Sequence, residues 1–415
     1  MPFFSIYTPT HDSKFLLRAA ESLKKQTFKD FEWIIMPNGN AILPNTNELP
    51  NCRIIEPSDK NSKVIGLLKA ECCESAKGNV LVELDHDDEL TPNCLQELFN
   101  EFSNPSIDFC YSNASELDHD FEPFTYSANY GWQDRPFVYK GRTIKEQLSF
   151  EPTAVSFSKI WFAPNHVRAW KKSFYEKIGG YNKNMDVLDD QDILSRTYIH
   201  GNVKHINKCL YIYYRHKDNT CYGEKNKFIQ TETLNIHDKY IYELTCKWAE
   251  LNNLLKIDLC GGFNCPKGFK SIDVRNADII HNLNDPWPFK DGEVGVIRAH
   301  DALEHLRDPI HIMKEAYRCL VPMGWFLTFT PSTDGRGAFQ DPTHISFWNS
   351  NSFWYYTKEE TAKYIGTPVR FQLNRIKNFF PNDYCKNHNI LYVKADLVKL
   401  PDKNSKIRFP GLIEI

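Results

Sequence analysis

Three acidic side chains fall within four consecutive positions in the first quarter of the chain: Asp85, Asp87 and Asp88. Like charges at this spacing repel one another unless a cation or hydrogen-bond donors compensate them. Hard cations such as Mg²⁺ and Mn²⁺ favour carboxylate oxygens and often bind substrate phosphates as well. The cluster therefore predicts a Mn²⁺ or Mg²⁺ site that also takes a diphosphate. The alternative is a solvated acidic turn that caps the following helix.

A second pattern begins with Asp258, which is followed by the glycine pair Gly261 and Gly262. Glycines in such a turn let the backbone approach a ligand closely. Asp273 comes 15 residues after Asp258, at the end of the next predicted strand. Dinucleotide-binding folds use an acid at this place to hold ribose hydroxyls. The spacing GxGxxG is not matched, which disfavours a nicotinamide enzyme.

Further polar residues lie beyond this turn and are candidate bases or metal ligands: Asp301, Glu304, His305, Asp341 and His344. Removing the proton of a substrate hydroxyl needs a base near the oxygen. The alternatives are that 304–305 cap a helix and that 341–344 form a structural turn, because spacing in sequence does not show convergence in space.

Both patterns sit on alternating apolar runs and helical periodicities. In the first part, strands are predicted at 3–8, 31–36, 52–56 and 79–84, with helices at 13–26 and 64–76 and a third helix that begins at Thr91 and Pro92. A second series starts near 254, with strands at 255–259, 270–274, 294–299, 325–330 and 389–398 and a helix at 309–320. Such alternation predicts parallel sheets covered by helices, with ligands at the carboxyl ends of strands.

Composition limits the classes of function. A chain of 415 residues predicts two or three domains, and its net charge of −3 argues against a nucleic-acid partner. Twelve scattered cysteines without a CxxC pair indicate free thiols in a reducing compartment. Neither a signal peptide nor a transmembrane segment is predicted, so we expect a cytoplasmic protein, with peripheral membrane contact through its substrate left open.

Motifs in the first part, in order, resemble the family 2 glycosyltransferases, which have the GT-A fold. They are SIYTPT at 5–10, ESL…QTF…FEW at 21–33, AKGNV at 76–80, LDHDD at 84–88, IGGYN at 178–182, DDQD at 189–192 and YYRH at 213–216. The resemblance covers about residues 3–220. It implies that Asp85 and Asp87 hold the metal and the diphosphate, and that His216 is a further metal or phosphate ligand.

The same resemblance assigns roles to five other residues. Thr8 and Thr10 are expected near the nucleoside, and Lys69 stands where the family often has an arginine near the nucleotide. Asn38 replaces one of the family's paired aspartates, which leaves the donor base open between UDP, GDP and dTDP. Asp190 is implied to be the general base that deprotonates the acceptor hydroxyl, with inversion at the anomeric carbon.

The second part resembles class I, Rossmann-like methyltransferases over about residues 254–400, through DIIHNL at 278–283, PWPF at 286–289, LEHL at 303–306, RCLVPMG at 318–324 and DPTH at 341–344. S-adenosylmethionine is therefore the implied cofactor. Its implied binding residues are Asp258, Gly261, Gly262, Asp273, Asn282 and Leu283, and His305 and His344 are the predicted catalytic residues. The first glycine of the family's Gly-Cys-Gly turn is Cys260 here, and its adenine-side aspartate is Asn282.

Together these features predict an α/β chain with a GT-A domain at 1–220, a helical connector at 221–253 and a methyltransferase domain at 254–415. The predicted function is sugar transfer from a nucleotide donor to a glycan or lipid-linked acceptor, followed by O-methylation of a sugar hydroxyl. Two alternatives are open: a catalytically dead second domain used for docking, and a non-enzymatic glycan-binding protein.

Overall fold

A computed structural model describes residues 1–118, 121–216, 225–401 and 408–411. The chain forms two compact units, Met1–Leu244 and Thr245–Ile415. The division into domains at 1–220 and 254–415 with a connector between them stays a prediction, and residues 221–224 of that connector lie outside the described residues. A helix over Lys225–Leu251 occupies most of the predicted connector.

One mixed sheet forms the centre of the first unit. Its strands are β1 Phe4–Thr10, β2 Phe31–Pro37, β3 Cys52–Ile54, β4 Val80–Glu83, β5 Glu89–Leu90, β6 Phe109–Leu117, β7 Asp134–Tyr139, β8 Arg142–Gln147, β9 Arg168–Lys171 and β10 Val203–Tyr214. They lie in the order β3-β2-β1-β4-β9-β6-β10-β5, and the hairpin β7–β8 joins at β6. Because β1, β2 and β4 are parallel neighbours, their carboxyl ends meet at one edge.

The helices of this unit cover the sheet: α1 Leu16–Lys24, α2 Ile65–Ser75, α3 Cys94–Phe102, α4 Ala154–Ser158, α5 Lys172–Lys177, α6 Asp189–His200 and α7 Lys225–Leu251, the last of which continues into the second unit. The apolar face of α1, which the sequence predicts from its spacing, is fully buried at Leu16, Ala19 and Leu23. The predicted start of α3 was wrong. The helix begins at Cys94, Asn93 occupies the N-cap position, and no side chain accepts a backbone N–H of the first turn, so Thr91 does not cap it.

The second unit has a seven-stranded sheet in the order β13-β12-β11-β14-β15-β17-β16. Its strands are β11 Leu255–Leu259, β12 Lys270–Asp273, β13 Ile279–Ile280, β14 Val294–His300, β15 Leu320–Pro331, β16 Phe371–Phe379 and β17 Tyr392–Lys399. The first five positions in this order are parallel, and β17 and β16 pair antiparallel at the far edge. The sequence did not predict β16.

The helices that follow α7 along the chain are α8 Pro309–Cys319, α9 Gly337–Gln340, α10 Trp354–Thr357, α11 Glu359–Ala362 and α12 Asp383–Asn387. Asp308 caps α8 by accepting from the backbone N–H groups of Ile310 and His311, and Pro309 fills the first turn, where no N–H is needed. The α/β fold class and the two-sheet architecture are therefore confirmed. Within the described ranges, no helix combines the length and apolar character needed to cross a membrane.

Candidate functional site

A cavity of about 1560 Å³ opens at the carboxyl edge of the first sheet. Its wall comes from segments that are far apart in sequence, including the loops after β1, β2, β4 and β10 and the start of α6. Six residues that the sequence predicts as site residues line this one cavity: Asn38, Lys69, Asp85, Asp87, Asp190 and His216. The fold thus brings the acidic cluster, the basic residue and the predicted base together.

The three clustered aspartates have different surroundings. The carboxylate of Asp87 lies 2.5 Å from Nε2 of His216, and both residues line the cavity. Asp88 is fully buried and accepts hydrogen bonds from the hydroxyl of Tyr211 and the backbone N–H of Tyr214, both at 2.8 Å. Burial raises the pKa of Asp88 well above its ordinary value. Asp88 therefore holds the loop against β10, and Asp87 is presented to the cavity.

Asp85 completes the acidic wall. Its carboxyl is partly exposed, and burial, together with the charges of Glu83 and Asp87, raises its pKa despite nearby His166 and Lys69. Two carboxylates and an imidazole on one cavity wall form a donor set that suits Mn²⁺ or Mg²⁺ with a diphosphate. The residues present therefore fit the cation that the sequence predicts.

Beneath this wall lies a buried ion network centred on Lys69. Its ammonium is 2.7 Å from Glu83 and 3.0 Å from Asp189. Burial alone would lower the pKa of Lys69, but the two carboxylates outweigh it and hold that pKa well above its ordinary value. For the carboxyl of Asp189, by contrast, burial raises the pKa to about 6, although Lys69 lies beside it. Lys69 therefore neutralises buried carboxylates as well as lining the cavity.

The predicted base Asp190 is held on both of its oxygens. Oδ2 lies 3.1 Å from the guanidinium of Arg168, and Oδ1 accepts the backbone N–H of Gln191 at 2.8 Å. Asp190 lies in the first turn of α6, where the helix dipole favours negative charge. A carboxylate fixed in this way at a cavity wall is placed to accept a proton from a bound hydroxyl.

Two further polar residues of the site, His166 and Arg168, were not predicted from the sequence. Both line the cavity. Arg168 is almost fully buried between Asp190 and Glu83, and Nε2 of His166 lies 3.5 Å from Glu83. The available signal was the mixture of charged and aromatic residues just before β9.

Thr8 and Thr10 are not in the wall of the cavity. The hydroxyl of Thr8 donates to the Leu84 carbonyl at 2.7 Å and accepts the indole N–H of Trp33 at 2.9 Å, and the residue is fully buried. Thr10 is buried and donates to the Asp12 carbonyl. These contacts make both hydroxyls part of the loop structure beside the site, and their predicted place near the nucleoside stays a prediction.

In the second unit, the glycine turn follows β11 at the carboxyl edge of the sheet. Asp258 is fully buried, and one of its oxygens accepts from Arg298 at 2.7 Å. A Cβ at position 261 would collide with the Asp258 carboxylate, so only glycine fits there. Gly262 has a φ of +43°, and a Cβ there would meet only the carboxylate of Asp273, at 3.7 Å. The turn thus leaves open space beside Asp273, as a bound ribose requires.

Other predicted cofactor residues lie on the neighbouring strand ends. Asn282 is exposed and folds back so that its side-chain oxygen accepts the backbone N–H of Asn284 at 3.1 Å. Leu283 is buried in the core, and its carbonyl accepts the indole N–H of Trp287. The open turn, Asp273 and the loop at 282–283 follow strands at one edge of the sheet, an arrangement that fits the predicted S-adenosylmethionine.

His305 and His344 lie close together although 39 positions separate them in the chain. Their rings are 5.0 Å apart, and ligand atoms of Glu304, His305 and His344 lie within 4.8 Å of one another. Glu304 is almost fully buried, burial raises its pKa, and Thr330 donates to its Oε2 at 2.7 Å. Sequence spacing alone did not establish this convergence.

Profiles of known protein families match both parts of the chain. The profile of Glycosyl transferase family 2 matches residues 5–179, and a methyltransferase domain profile matches residues 249–328. The chain joins a family 2 glycosyltransferase domain to a class I methyltransferase domain. The two domains follow one another in the order that the sequence predicts.

Two polysaccharide synthases are among the relatives in sequence. Chondroitin synthase of Escherichia coli is 26% identical over 228 residues, which is 53% of this chain and 30% of that protein. Hyaluronan synthase of Pasteurella multocida is 24% identical over 286 residues, covering 62% of this chain and 27% of the synthase. The chain thus spans less than a third of the length of these two synthases.

A relative that is matched over most of its length is the glycosyltransferase GlyG of Streptococcus pneumoniae serotype 4, which is 22% identical over 298 residues, covering 69% of this chain and 92% of that protein. Among solved structures, S. aureus TarS 1-349 in complex with UDP-GlcNAc aligns with a TM-score of 0.43 and 14% identity, over 60% of this chain and 71% of that one. The same TarS segment in complex with UDP gives a TM-score of 0.41 at 14% identity, over 60% of this chain and 70% of that one.

Proposed function

We propose that the glycosyltransferase domain transfers a sugar from a nucleotide-sugar donor to a hydroxyl of a glycan or lipid-linked acceptor, with inversion at the anomeric carbon. The observation that carries this proposal is the single cavity in which an acidic pair, Asp85 and Asp87, lies on the same wall as the anchored carboxylate of Asp190. The relatives named as chondroitin and hyaluronan synthases support a glycan acceptor.

Asp85, Asp87 and His216 would hold Mn²⁺ or Mg²⁺, which would neutralise the donor diphosphate. Asp190 accepts the proton of the acceptor hydroxyl while that oxygen bonds to the anomeric carbon. The bond from this carbon to the diphosphate oxygen breaks on the opposite face, which inverts the centre. Arg168 keeps the Asp190 carboxylate oriented toward the incoming hydroxyl, because it fixes Oδ2 at 3.1 Å.

Asn38 is the residue that we assign to the donor base. Asn38 lines the cavity, and its carboxamide offers both N–H donors and acceptor lone pairs. One of its side-chain N–H groups donates to the Ser62 carbonyl at 3.4 Å. UDP, GDP and dTDP all present groups that a carboxamide can pair with. A panel of nucleotides therefore has to decide between them.

For the second domain we propose methylation of a sugar hydroxyl. Gly261, Gly262 and Asp273 would hold S-adenosylmethionine, with Asn282 and Leu283 at its adenine and Asp258 supporting the turn from beneath. The cofactor would supply an electrophilic methyl group. His305 and His344 lie beside the hydroxyl that accepts this group, and a base there removes its proton.

A thermal-shift panel tests both activities, because a ligand that binds only the folded state raises the melting temperature. UDP, GDP, dTDP and CMP would be tested with and without Mn²⁺, alongside S-adenosylhomocysteine. We expect a manganese-dependent shift with one nucleotide, which Asp87→Ala abolishes and the surface control Asp134→Ala keeps. We also expect a separate shift with S-adenosylhomocysteine, which Asp273→Ala abolishes.

The other outcomes separate the alternatives. A nucleotide shift without any shift by S-adenosylhomocysteine would favour a second domain that serves only for docking. The absence of a shift with every ligand would contradict both catalytic proposals and favour a glycan-binding protein.

A further inference from the structure

We propose that Glu304, His305 and His344 bind a divalent transition-metal ion in the methyltransferase domain, and that this ion holds the hydroxyl to be methylated. The first observation is their convergence, with one ligand atom from each lying within 4.8 Å of the others. Metal–ligand bonds of about 2.1 Å place ligand atoms up to about 4.2 Å apart, so small side-chain rotations complete the site.

The second observation is how the two imidazoles are held. Nδ1 of His305 is 3.2 Å from the Thr343 carbonyl and 3.1 Å from the Thr343 hydroxyl, whose own proton is donated to Asp341. Nδ1 of His344 is 3.0 Å from the Ala338 carbonyl. A carbonyl only accepts, so each Nδ1 carries the proton and donates it. This leaves the lone pair of Nε2 on both rings for a ligand. Metal-binding histidines are oriented in the same way, by donating their other ring N–H to a carbonyl or carboxylate.

The third observation concerns Glu304, which is 2% exposed. Thr330 donates to Oε2, but among the described residues Oε1 has no hydrogen-bond partner. A buried carboxylate oxygen without a partner is costly, and a cation is the partner that compensates its charge. The orphaned oxygen therefore points independently to a ligand at this cluster.

The loop that contains His344 is hydrogen-bonded to the segment that contains Glu304. The backbone N–H groups of Ile345 and Ser346 both donate to the Glu304 carbonyl, at 2.8 and 3.1 Å. Asp341 closes the preceding turn by accepting the backbone N–H and the hydroxyl of Thr343. The three candidate ligands are thus held near one another by backbone contacts before any ion binds.

Two imidazoles and one carboxylate select the class of ion. Mg²⁺ and Ca²⁺ favour all-oxygen sites, whereas imidazole suits transition metals such as Fe²⁺ and Zn²⁺, and the carboxylate of the set also suits Mn²⁺. With three protein ligands, the ion keeps open coordination positions that substrate oxygens can fill. Resting on the proposed O-methylation, we infer that two neighbouring hydroxyls of one sugar would fill them, so that the ion would orient the acceptor. Both histidines would then act as ligands in place of the base, and the hydroxyl, made more acidic by the ion, would lose its proton to water. Phe339 of α9 and Phe347 of the loop that follows it are exposed and stacked on each other, and they provide an aromatic surface for a sugar face.

Equilibrium dialysis against Mn²⁺ with metal analysis tests the site without substrate or cofactor. The full chain would carry Asp85→Asn and Asp87→Asn, which removes the candidate metal site of the first domain. We expect this background to retain one Mn²⁺ per chain, and affinity to fall at least tenfold in Glu304→Gln and in His344→Ala. The surface variant His388→Ala is the matched control and should keep full binding.

Failure of the background to retain Mn²⁺, or equal retention in both ligand variants, would overturn the proposal. Should Glu304→Gln not fold by circular dichroism, the partly exposed His305→Ala and His344→Ala variants carry the test. Binding of S-adenosylhomocysteine is measured separately. If the background protein binds S-adenosylhomocysteine but not Mn²⁺, this site is refuted. If it binds Mn²⁺ but not S-adenosylhomocysteine, the methyltransferase proposal is refuted instead.

Discussion

The two candidate sites differ in how they compensate buried negative charge. In the glycosyltransferase domain, Glu83 is 1% exposed but has the ammonium of Lys69 at 2.7 Å and the guanidinium of Arg168 at 3.6 Å. Burial alone would raise the pKa of Glu83, yet Lys69, His166 and Arg168 hold it well below its ordinary value. In the methyltransferase domain, Glu304 is as deeply buried but has only a hydroxyl as its hydrogen-bond donor among the described side chains, and its pKa is raised.

Two equally buried glutamates therefore have pKa values shifted in opposite directions, because only Glu83 has cations beside it. A carboxylate with built-in cations is part of a rigid frame, and removing it leaves those cations uncompensated. A carboxylate without such partners is a cost to the folded state until a ligand arrives. We therefore expect the first site to be preorganised by the chain itself and the second to be completed by an ion.

The largest expected effect is on glycosyl transfer. Asp190→Asn keeps the size of the side chain but cannot accept the proton, so we expect kcat to fall by about 10²–10⁴-fold. The thermal shift with the donor nucleotide should persist, because Asp190 is assigned to the acceptor. The measurement is single-turnover sugar transfer, with Asp134→Asn as the matched control. An unchanged rate would assign the base to another residue.

One matched pair of variants tests whether the two buried glutamates differ in the compensation of their charge. Glu83→Gln should lower the free energy of unfolding by about 3–5 kcal/mol, because it leaves Lys69 and Arg168 with less compensation. Glu304→Gln, measured with a chelator, should leave the free energy unchanged or raise it, because an uncompensated charge is removed. Urea unfolding measures both. Equal losses in the two variants would contradict the distinction between a compensated and an uncompensated carboxylate.

The pH dependence of stability tests how far Lys69 compensates the buried Asp189 carboxylate in the first site. Burial raises the folded-state pKa of Asp189 to about 6, above the unfolded value of about 4. Because the folded state then binds more protons, ionisation of Asp189 removes stability as the pH rises from about 4 to about 6. Asp189→Asn lacks this titration, so its stability relative to the wild type should increase over the same interval in urea unfolding. A constant difference between the two proteins would show that Lys69 fully compensates the carboxylate.

The smallest expected effect concerns Thr8. Thr8→Val removes the acceptor of the Trp33 indole N–H and should lower the free energy of unfolding by about 1–3 kcal/mol. The nucleotide thermal shift should keep its wild-type size, whereas Asn38→Ala, which changes the cavity wall, should reduce it. A loss of nucleotide binding in Thr8→Val would instead place its hydroxyl at the nucleoside, as the family resemblance implies.

Much of the fold was predictable because its signals are local. The apolar runs predicted β11 at its observed bounds and β1, β2 and β4 to within two residues at each end. The helical spacing predicted α1, and Pro309 predicted the start of α8. The strand β16 was not predicted because it pairs antiparallel with β17 at the sheet edge, in a stretch without a strand–helix rhythm.

Local patterns along the chain are sufficient to predict the order of the two domains, the acidic cluster after β4 and the glycine turn after β11. The folded chain is needed to show that Asp87 lies at the cavity while Asp88 is buried against β10, and that Arg168 anchors Asp190. It is also needed to show that His344 lies close to Glu304. Such pairings depend on strand order and on loop paths between distant segments, which local spacing does not encode.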